Sequence, residues 1–225
     1  MKDAMISIVP DRGDREILSE FCKSQLRRMI WDRYDADFSP DRNVIWMNPD
    51  PWDDRCDLTR RVKQAAHDAN KHKFDFAFII ENDDFYPSNY FEYLHEFVEY
   101  GYDFIGWQNT FYYNIKTRRY SRLEHETHSS LFCTGFRLSA LDDFEWPPDD
   151  YPFLDIALWK HAKQSGKNWK LLRTDNPCVG IKGHGMGKMG GKGHRMELMR
   201  ADPEMKWFRE KLNDEEAFKF YQSIV

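Results

Sequence analysis

Three carboxylates stand together directly after a short apolar segment of the chain. Residues 76–80 predict a buried strand, and Glu81, Asn82, Asp83 and Asp84 follow it. Like charges held this close raise one another's pKa unless a cation lies between them. A hard divalent ion such as Mg²⁺ or Mn²⁺, with oxygen ligands and a bound phosphate, is the usual solution. The pattern therefore predicts a metal site beyond the carboxyl end of a strand, where open α/β sheets bind ligands. The alternative is an ordinary acidic turn.

A second candidate is the glycine-rich segment 179–195, VGIKGHGMGKMGGKGHR, which holds seven of the 12 glycines and no acidic residue. Glycines let backbone amides approach an anion closely, and interleaved cations supply charge. The segment predicts contact with a diphosphate; the alternative is a flexible loop. Its candidate phosphate-binding residues are Lys182, Lys188 and Lys192, and its candidate metal ligands are His184 and His194.

A lone carboxylate, Asp155, lies among apolar residues at the predicted start of a helix. One interpretation is a general base whose pKa rises because Phe153 and Trp159 desolvate it. The other is an aspartate stabilised by the helix dipole. Cys133 also lies among apolar residues, near His128, and we interpret it as a packed thiol rather than a nucleophile.

The composition limits the class of protein. The chain of 225 residues can form a full hydrophobic core, and its net charge of −5 argues against a surface that is basic throughout. No apolar run reaches the roughly 18 residues of a membrane span, and the N-terminus lacks the apolar centre of a signal peptide. The four cysteines are scattered, so we expect reduced thiols and a cytoplasmic protein.

The elements that must position these residues follow a β-α-β-α-β-α order. This order predicts an α/β fold with a mostly parallel sheet and helices on both faces. We expect strands at 5–9, 43–47, 76–80, 103–107 and 130–136, a hairpin over 111–123, and helices at 16–31, 57–73, 87–100, 152–163 and from 203 onward.

Taken together, four segments resemble glycosyltransferases of the GT-A fold that are like family 2, and most of all the small free-standing ones of phage and prophage genomes. Residues 6–10 are similar to the first strand and its nucleotide loop. FIIENDD is similar to the strand that ends in the DxD motif, and HSSLFCTGFR to the acceptor-side strand. FLDIALW and the glycine-rich segment are similar to the catalytic helix and the C-terminal phosphate loop.

The resemblance implies a role for each matching residue. Asp83 would bind the metal that bridges the diphosphate of a nucleotide sugar, and Asp155 would deprotonate the acceptor hydroxyl. Glu81 stands where the family's first aspartate usually contacts the ribose or the metal's waters. Further donor contacts are expected from Pro10, Arg12, Asp14, Asp50, Asn82 and Asp84.

The resemblance also implies a Rossmann-like GT-A domain over the whole chain. Residues 1–106 would bind the nucleotide sugar, and residues 107–225 would bind the acceptor. The implied enzyme is a hexosyl- or pentosyltransferase that uses a nucleotide-diphosphate sugar, with UDP as the expected nucleotide, and Mn²⁺ or Mg²⁺. A base opposite the leaving group implies inversion at the anomeric carbon. If the chain is phage-encoded, it would act in the host cytoplasm.

The acceptor is open between a hydroxylated base in phage DNA and a polysaccharide or lipid-linked sugar. The hairpin places basic residues beside Tyr112, Tyr113 and Tyr120, a mixture that suits a phosphate backbone and an extruded base. Its candidate DNA contacts are Lys116, Arg118, Arg119 and Arg122. Two other classes remain as alternatives: a nucleotidyltransferase, and a non-catalytic module that binds sugar or nucleic acid.

Overall fold

The computed structural model describes residues 5–31, 44–47, 52, 55–91, 100–175, 178–187 and 199–224. The first part of the chain alternates strands and helices as expected. Its elements are β1 Met5–Val9, α1 Glu16–Trp31, β2 Val44–Trp46, α2 Leu58–Lys71, β3 Phe76–Ile79 and β4 Phe104–Trp107. The bounds predicted from hydrophobic spacing lie within two residues of these.

The second part of the described chain is richer in short strands. Its elements are β5 Asn109–Asn114, β6 Arg119–Glu124, β7 Thr134–Arg137, α3 Leu154–Gln164, β8 Trp169–Leu172, β9 Val179–Lys182, β10 Arg200–Ala201, α4 Lys206–Leu212 and α5 Glu215–Ser223. The predicted hairpin is β5 and β6, which pair antiparallel from Asn109↔Glu124 to Asn114↔Arg119.

A six-stranded sheet in the order β2-β1-β3-β7-β4-β8 forms the centre of the fold. The pairs β1–β2, β1–β3 and β4–β8 are parallel. The strand β7 runs antiparallel between β3 and β4. The predicted α/β class with a mostly parallel central sheet is therefore confirmed.

Both faces of β3 are buried, which is why its sequence is continuously apolar. Phe76 and Phe78 pack into the cluster that contains Trp107 on one face. Ala77 and Ile79 pack on the other face, against the inner side of α2. Burying a Phe or Ile side chain contributes about 1.5–3 kcal/mol each, so this strand is a rigid support for whatever follows it.

A second sheet, in the order β10-β6-β5-β9, adjoins the carboxyl edge of the first. The contact is a bridge between Phe85 and Val179, whose backbone N–H groups each donate to the other's carbonyl at 2.9 and 3.0 Å. The acidic turn 81–84 thus lies between the two sheets.

Three expectations need correction or fall outside the described residues. The strand expected at 130–136 begins only at Thr134, because Leu131–Cys133 forms a 3₁₀ turn. The glycine-rich segment starts as the strand β9 rather than as a loop. The helix expected at 87–100 begins only at Tyr90, because residues 87–89 form a turn that the N–H of Tyr90 closes on Pro87 at 2.9 Å; residues 92–99 lie outside the described residues.

Two expectations about the whole chain can be compared with the structure. All four cysteines are free thiols. None of the helices in the described ranges combines the length and apolar character needed to cross a membrane.

Candidate active site

The acidic turn continues directly from β3. The N–H of Ile80 donates to Ile8 at 2.9 Å, which extends the pairing of β1 with β3 by one residue, and the N–H of Asp84 then closes the turn on Glu81 at 3.2 Å. One carboxylate oxygen from each of Glu81, Asp83 and Asp84 lies within 4.8 Å of the others. The predicted clustering of the three carboxylates is confirmed.

Asp84 is buried beneath the turn with one oxygen paired and the other not. Its Oδ1 accepts the N–H of Ile181 at 2.7 Å and lies 3.5 Å from the Lys182 ammonium. Its Oδ2 is buried without a hydrogen-bond partner among the described residues. Burial, with the neighbouring charge of Asp83, raises the pKa of Asp84 well above its usual value. A buried carboxyl of this kind takes up either a proton or a cation.

The surroundings of Asp83 lower its pKa, whereas those of Asp84 raise it. Its Oδ2 accepts from Arg15 Nη1 at 3.0 Å and from His184 Nε2 at 3.1 Å, so Oδ1 remains for another partner. Burial alone would raise the pKa of Asp83. The Lys182 ammonium and the His184 hydrogen bond outweigh that effect and hold the pKa of this carboxyl below its usual range. Asp83 is therefore ionised.

The hydrogen bonds of His184 define its tautomer. Its Nδ1 accepts the N–H of Met186 at 3.1 Å, so the ring proton is on Nε2 and is donated to Asp83. A ring in this state orients Asp83 and has no lone pair directed at the carboxylate cluster. Its role as a metal ligand stays a prediction.

Glu81 titrates near neutrality in this setting. Burial and the charge of Asp83, working against Lys182, raise the pKa of Glu81 to about 7. The charge of Asp155 adds to the same rise, so the fold brings the predicted base within electrostatic range of the acidic turn.

Lys182 is the cation that faces all three carboxylates. Burial would lower the pKa of Lys182, but Asp84, Asp83 and Glu81 together raise it above its usual value. The strand β9 ends at this residue, and only 13% of its side chain is exposed. Its predicted contact with phosphate stays a prediction.

Asn82 points away from the cluster and into the protein. Its Nδ2 donates to Asp11 Oδ1 at 3.0 Å and to Ser19 Oγ at 2.9 Å. Asp11 also accepts the N–H of Gly13 at 2.9 Å and the hydroxyl of Ser19 at 2.7 Å. The side chain of Asn82 thus fixes the acidic turn to the loop after β1, and its predicted contact with a donor finds no support in this orientation.

The loop after β1 lies on the opposite side of the same cavity. Arg12 donates to Asp57 Oδ1 at 2.7 Å and to the carbonyl of Trp52 at 3.0 Å. Asp57 also accepts from the fully buried Arg61 at 2.7 Å. Arg12 and Pro10 line the cavity, and this ion-pair network fixes Arg12 in place. The predicted contact of both residues with a donor stays a prediction.

The cavity has a volume of about 180 Å³. Its walls come from the loop after β1, the start of α2, the acidic turn and the end of β9. The lining residues are Pro10, Arg12, Arg15, Cys56, Asp57, Leu58, Arg61, Glu81, Asn82, Asp83 and Lys182. A larger cavity of about 530 Å³ lies between α2 and residues 138–149, but it contains none of the three carboxylates. We therefore place the candidate site in the smaller one.

The glycine-rich segment approaches the loop after β1 at Gly187. A Cβ at this position would lie 2.8 Å from Asp14 Oδ1 and 3.0 Å from Arg15 Cγ, and the residue has a φ of +67°. Only glycine permits both features. The segment and Asp14 therefore meet at the mouth of the site.

Asp155 lies in the first turn of α3. Burial raises the pKa of Asp155 above its usual value, against the opposing N–H of Ile156. Phe153 is 60% exposed and Trp159 is fully buried, and their desolvation of the carboxylate stays a prediction. Burial likewise raises the pKa of the Cys133 thiol, and the interpretation of Cys133 as a packed thiol is confirmed.

The basic hairpin differs from a nucleic-acid surface. Tyr112 and Tyr113 are buried, so the expectation that these two rings stack on bases is wrong. Tyr120 is half-buried and stacks on Trp207 with ring centroids 4.0 Å apart, and its contact with a base stays a prediction. Arg118 donates to the carbonyl of Pro203 and Arg119 to that of Met199, while Arg122 pairs with Glu124. Lys116 is exposed at the turn.

Four candidate residues cannot be compared with the structure. Asp50, Lys188, Lys192 and His194 lie outside the described residues. Their predicted contacts with donor or metal stay predictions.

No protein-family model and no curated protein sequence matches the chain. Similar solved structures include a protein described as a "putative nucleotide-diphospho-sugar transferase" from Desulfovibrio desulfuricans G20, with 14% identity and a TM-score of 0.41 over 77% of this chain and 80% of that one. Another is A197 from STIV, with 12% identity and a TM-score of 0.43 over 76% and 82%. The first description agrees with the resemblance seen in the sequence. At these values neither likeness carries a functional argument, which must come from the site.

Proposed function

We propose that the chain is a metal-dependent glycosyltransferase that takes a sugar from a nucleoside-diphosphate donor, with UDP as the expected nucleotide. The observation that carries the proposal is the buried carboxylate pair at the carboxyl edge of the central sheet. Asp84 offers an oxygen that has no hydrogen bond among the described residues, and Oδ1 of Asp83 is not used by Arg15 or His184. Hard oxygen ligands in this number suit Mg²⁺ or Mn²⁺ completed by phosphate and water.

A divalent cation held by Asp83 and Asp84 would supply positive charge to the leaving diphosphate. Lys182 adds a second positive charge at the same place, since its raised pKa keeps it protonated. Glu81 lies at the cavity wall, where we assign it to the ribose or to water rather than to the metal itself.

Asp155 is the proposed base. Its raised pKa makes it a better proton acceptor than an ordinary aspartate. It belongs to α3, in the half of the chain that we assign to the acceptor. A carboxylate on the acceptor side takes the proton as the hydroxyl attacks, which gives inversion at the anomeric carbon. In this proposal residues 1–106 bind the donor and residues 107–225 bind the acceptor. The exception is β9, whose Lys182 lies beside Asp84 on the donor side.

The acceptor is proposed only by class. The buried tyrosines and the paired arginines of the hairpin do not favour DNA, so a sugar hydroxyl of a polysaccharide or a lipid-linked sugar is the first class to screen. A hydroxylated DNA base belongs in the same screen, with Lys116, Arg118 and Arg122 as exposed cations of the hairpin.

The proposal is tested by thermal unfolding with UDP-glucose, UDP-N-acetylglucosamine, GDP-mannose and dTDP-glucose, each with and without Mn²⁺. A donor at about 100 times its dissociation constant adds about 2.7 kcal/mol, a clear rise in Tm. We expect a rise for one nucleotide that requires Mn²⁺ and is lost in Asp84→Asn. The matched control is Asp142→Asn, which removes an exposed carboxylate remote from the acidic turn.

Two results would contradict the proposal. Stabilisation that is the same with and without Mn²⁺ would leave the carboxylates as an ordinary acidic turn. Stabilisation by nucleoside triphosphates but by no nucleotide sugar would favour a nucleotidyltransferase.

A further inference from the structure

Arg15 is a cavity residue that the motifs did not indicate. It follows the loop after β1 and immediately precedes α1, and its guanidinium reaches across the cavity to the acidic turn. Nη1 donates to Asp83 Oδ2 at 3.0 Å, and only 11% of the side chain is exposed. Arg15 thus occupies one of the two carboxylates that we assign to the metal.

The guanidinium is only partly satisfied in this position. Its Nε is buried without a hydrogen-bond partner among the described residues. The carboxylate of Asp14 lies 3.9 Å from that nitrogen, too far for a hydrogen bond. Gly187 closes the other side, because a Cβ there would lie 3.0 Å from Arg15 Cγ. A buried donor left open at the mouth of a cavity indicates a missing acceptor.

Charge decides what that acceptor is. A cation at Asp83 and the Arg15 guanidinium would share the single negative charge of the Asp83 carboxylate, so a further anion between them would lower their mutual repulsion. A diphosphate provides that charge, and its oxygens accept two parallel N–H bonds from one guanidinium. Asp84 does not meet this need, since its Oδ1 is paired with Lys182 and Ile181 and we assign its Oδ2 to the metal.

We propose that Arg15 binds the donor diphosphate and exchanges Asp83 for it when a divalent cation enters the site. The inference rests on the proposed metal-dependent donor site and adds a residue to it. It has two consequences of opposite sign. Without nucleotide, Arg15 competes with the cation for Asp83 and weakens metal binding. With nucleotide, Arg15 holds the diphosphate and strengthens the binding of both.

The test is two titrations of Arg15→Gln. In the first, Mn²⁺ is added alone and the free ion is measured by electron paramagnetic resonance. In the second, UDP is added at saturating Mn²⁺ and its binding is measured by calorimetry. We expect Mn²⁺ to bind more tightly than in the wild type. We expect UDP to bind about tenfold or more weakly, the usual effect of losing a hydrogen bond to a charged group. Arg27→Gln is the matched control, since it removes the same charge from the exposed side of α1 and should change neither affinity.

Arg15→Lys separates charge from geometry and serves if the glutamine variant folds poorly. It keeps the positive charge but loses the two parallel N–H donors of the guanidinium. The affinity for Mn²⁺ should therefore stay near that of the wild type, while the affinity for UDP falls. A loss of both affinities in Arg15→Gln would make Arg15 a support for Asp83 and would overturn the inference, as would unchanged affinities. A wild-type protein that binds no Mn²⁺ and no UDP would instead overturn the proposed function, and it would show this before any variant is made.

Discussion

Asp83 and Asp84 are neighbours in the chain, yet the fold gives them opposite charge behaviour. Asp83 faces Arg15 and His184 and has a lowered pKa, whereas Asp84 lies deeper and has a raised one. The difference follows from their partners, because both residues are buried. One ionised carboxylate and one carboxyl with a raised pKa therefore lie side by side, which would suit the proposed site for a cation.

Asp155→Asn tests the proposed base. We expect donor binding with Mn²⁺ to be unchanged and the release of UDP from the donor to fall by about 10²–10⁴. The measurement is the rate of UDP release, with an acceptor or with water in its place. Asp150→Asn is the control, since it removes an exposed carboxylate from the loop before α3 and should keep the wild-type rate.

The pH dependence of the same rate gives a second readout. The base must be ionised to accept a proton, and the pKa of Asp155 is raised above its usual value. The rate should therefore fall on acidification at a higher pH than an unperturbed aspartate would give. Asp155→Asn should retain this acidic limb only if another group, such as Glu81, causes it.

Arg15, Asp11 and Asp57 show what the sequence could not reveal at the level of single residues. Each is a charged residue in a polar stretch without a motif, and nothing in its local pattern separates it from a solvated one. Their importance comes from contacts 45 to 71 residues away, between Arg12 and Asp57, between Arg15 and Asp83 and between Asp11 and Asn82. The acidic turn was predictable because its spacing to a buried strand is local.

At the level of elements, the glycine-rich segment combines two structures. Its first four residues are the strand β9, which brings Lys182 to the acidic turn. Glycines with positive φ then follow at Gly183, Gly185 and Gly187 and turn the chain back over the loop after β1. A glycine count indicates a loop, and only the pairing of β9 with β5 reveals the strand.

Gly187→Ala should move the segment away from the donor site. Its Cβ would meet Asp14 and Arg15 at about 3 Å, whereas a Cβ at Gly185 would meet nothing within 4 Å. Both positions have positive φ, so each alanine costs about 1 kcal/mol or more in backbone strain. We expect a similar fall in Tm for both variants and a loss of UDP affinity in Gly187→Ala alone, measured by calorimetry with Mn²⁺.

Equal UDP affinities in the two alanine variants would contradict this view of the segment. They would mean that the approach of Gly187 to Asp14 has no part in binding the donor.

At the level of the whole molecule, the site lies where two sheets meet. The alternation of strands and helices was enough to predict the first sheet, because parallel strands and their crossover helices leave a regular pattern. The second sheet was missed apart from its hairpin, since β9 pairs with β5 over a separation of 68 residues, from Phe111 to Val179. Pairing over such distances leaves no local signal.

The same long-range packing explains why two of the tyrosines expected at the surface of the hairpin are buried. Its aromatic residues suggested a surface for bases, but Tyr113 packs face to face on Phe208 of α4 at 4.0 Å. The helix α4 thus packs against Tyr113 and Tyr120 of the hairpin. Composition shows that rings and cations are near each other, and only the tertiary fold shows which of them reach solvent.

The most direct test of the proposed metal site at Asp83 and Asp84 is the anomalous scattering of Mn²⁺ in crystals grown with UDP. We expect one strong peak within about 2.5 Å of a carboxylate oxygen of Asp83 and of the Oδ2 of Asp84, with the diphosphate on its other side. A peak at a surface carboxylate, or UDP bound at the acidic turn without any peak, would contradict it.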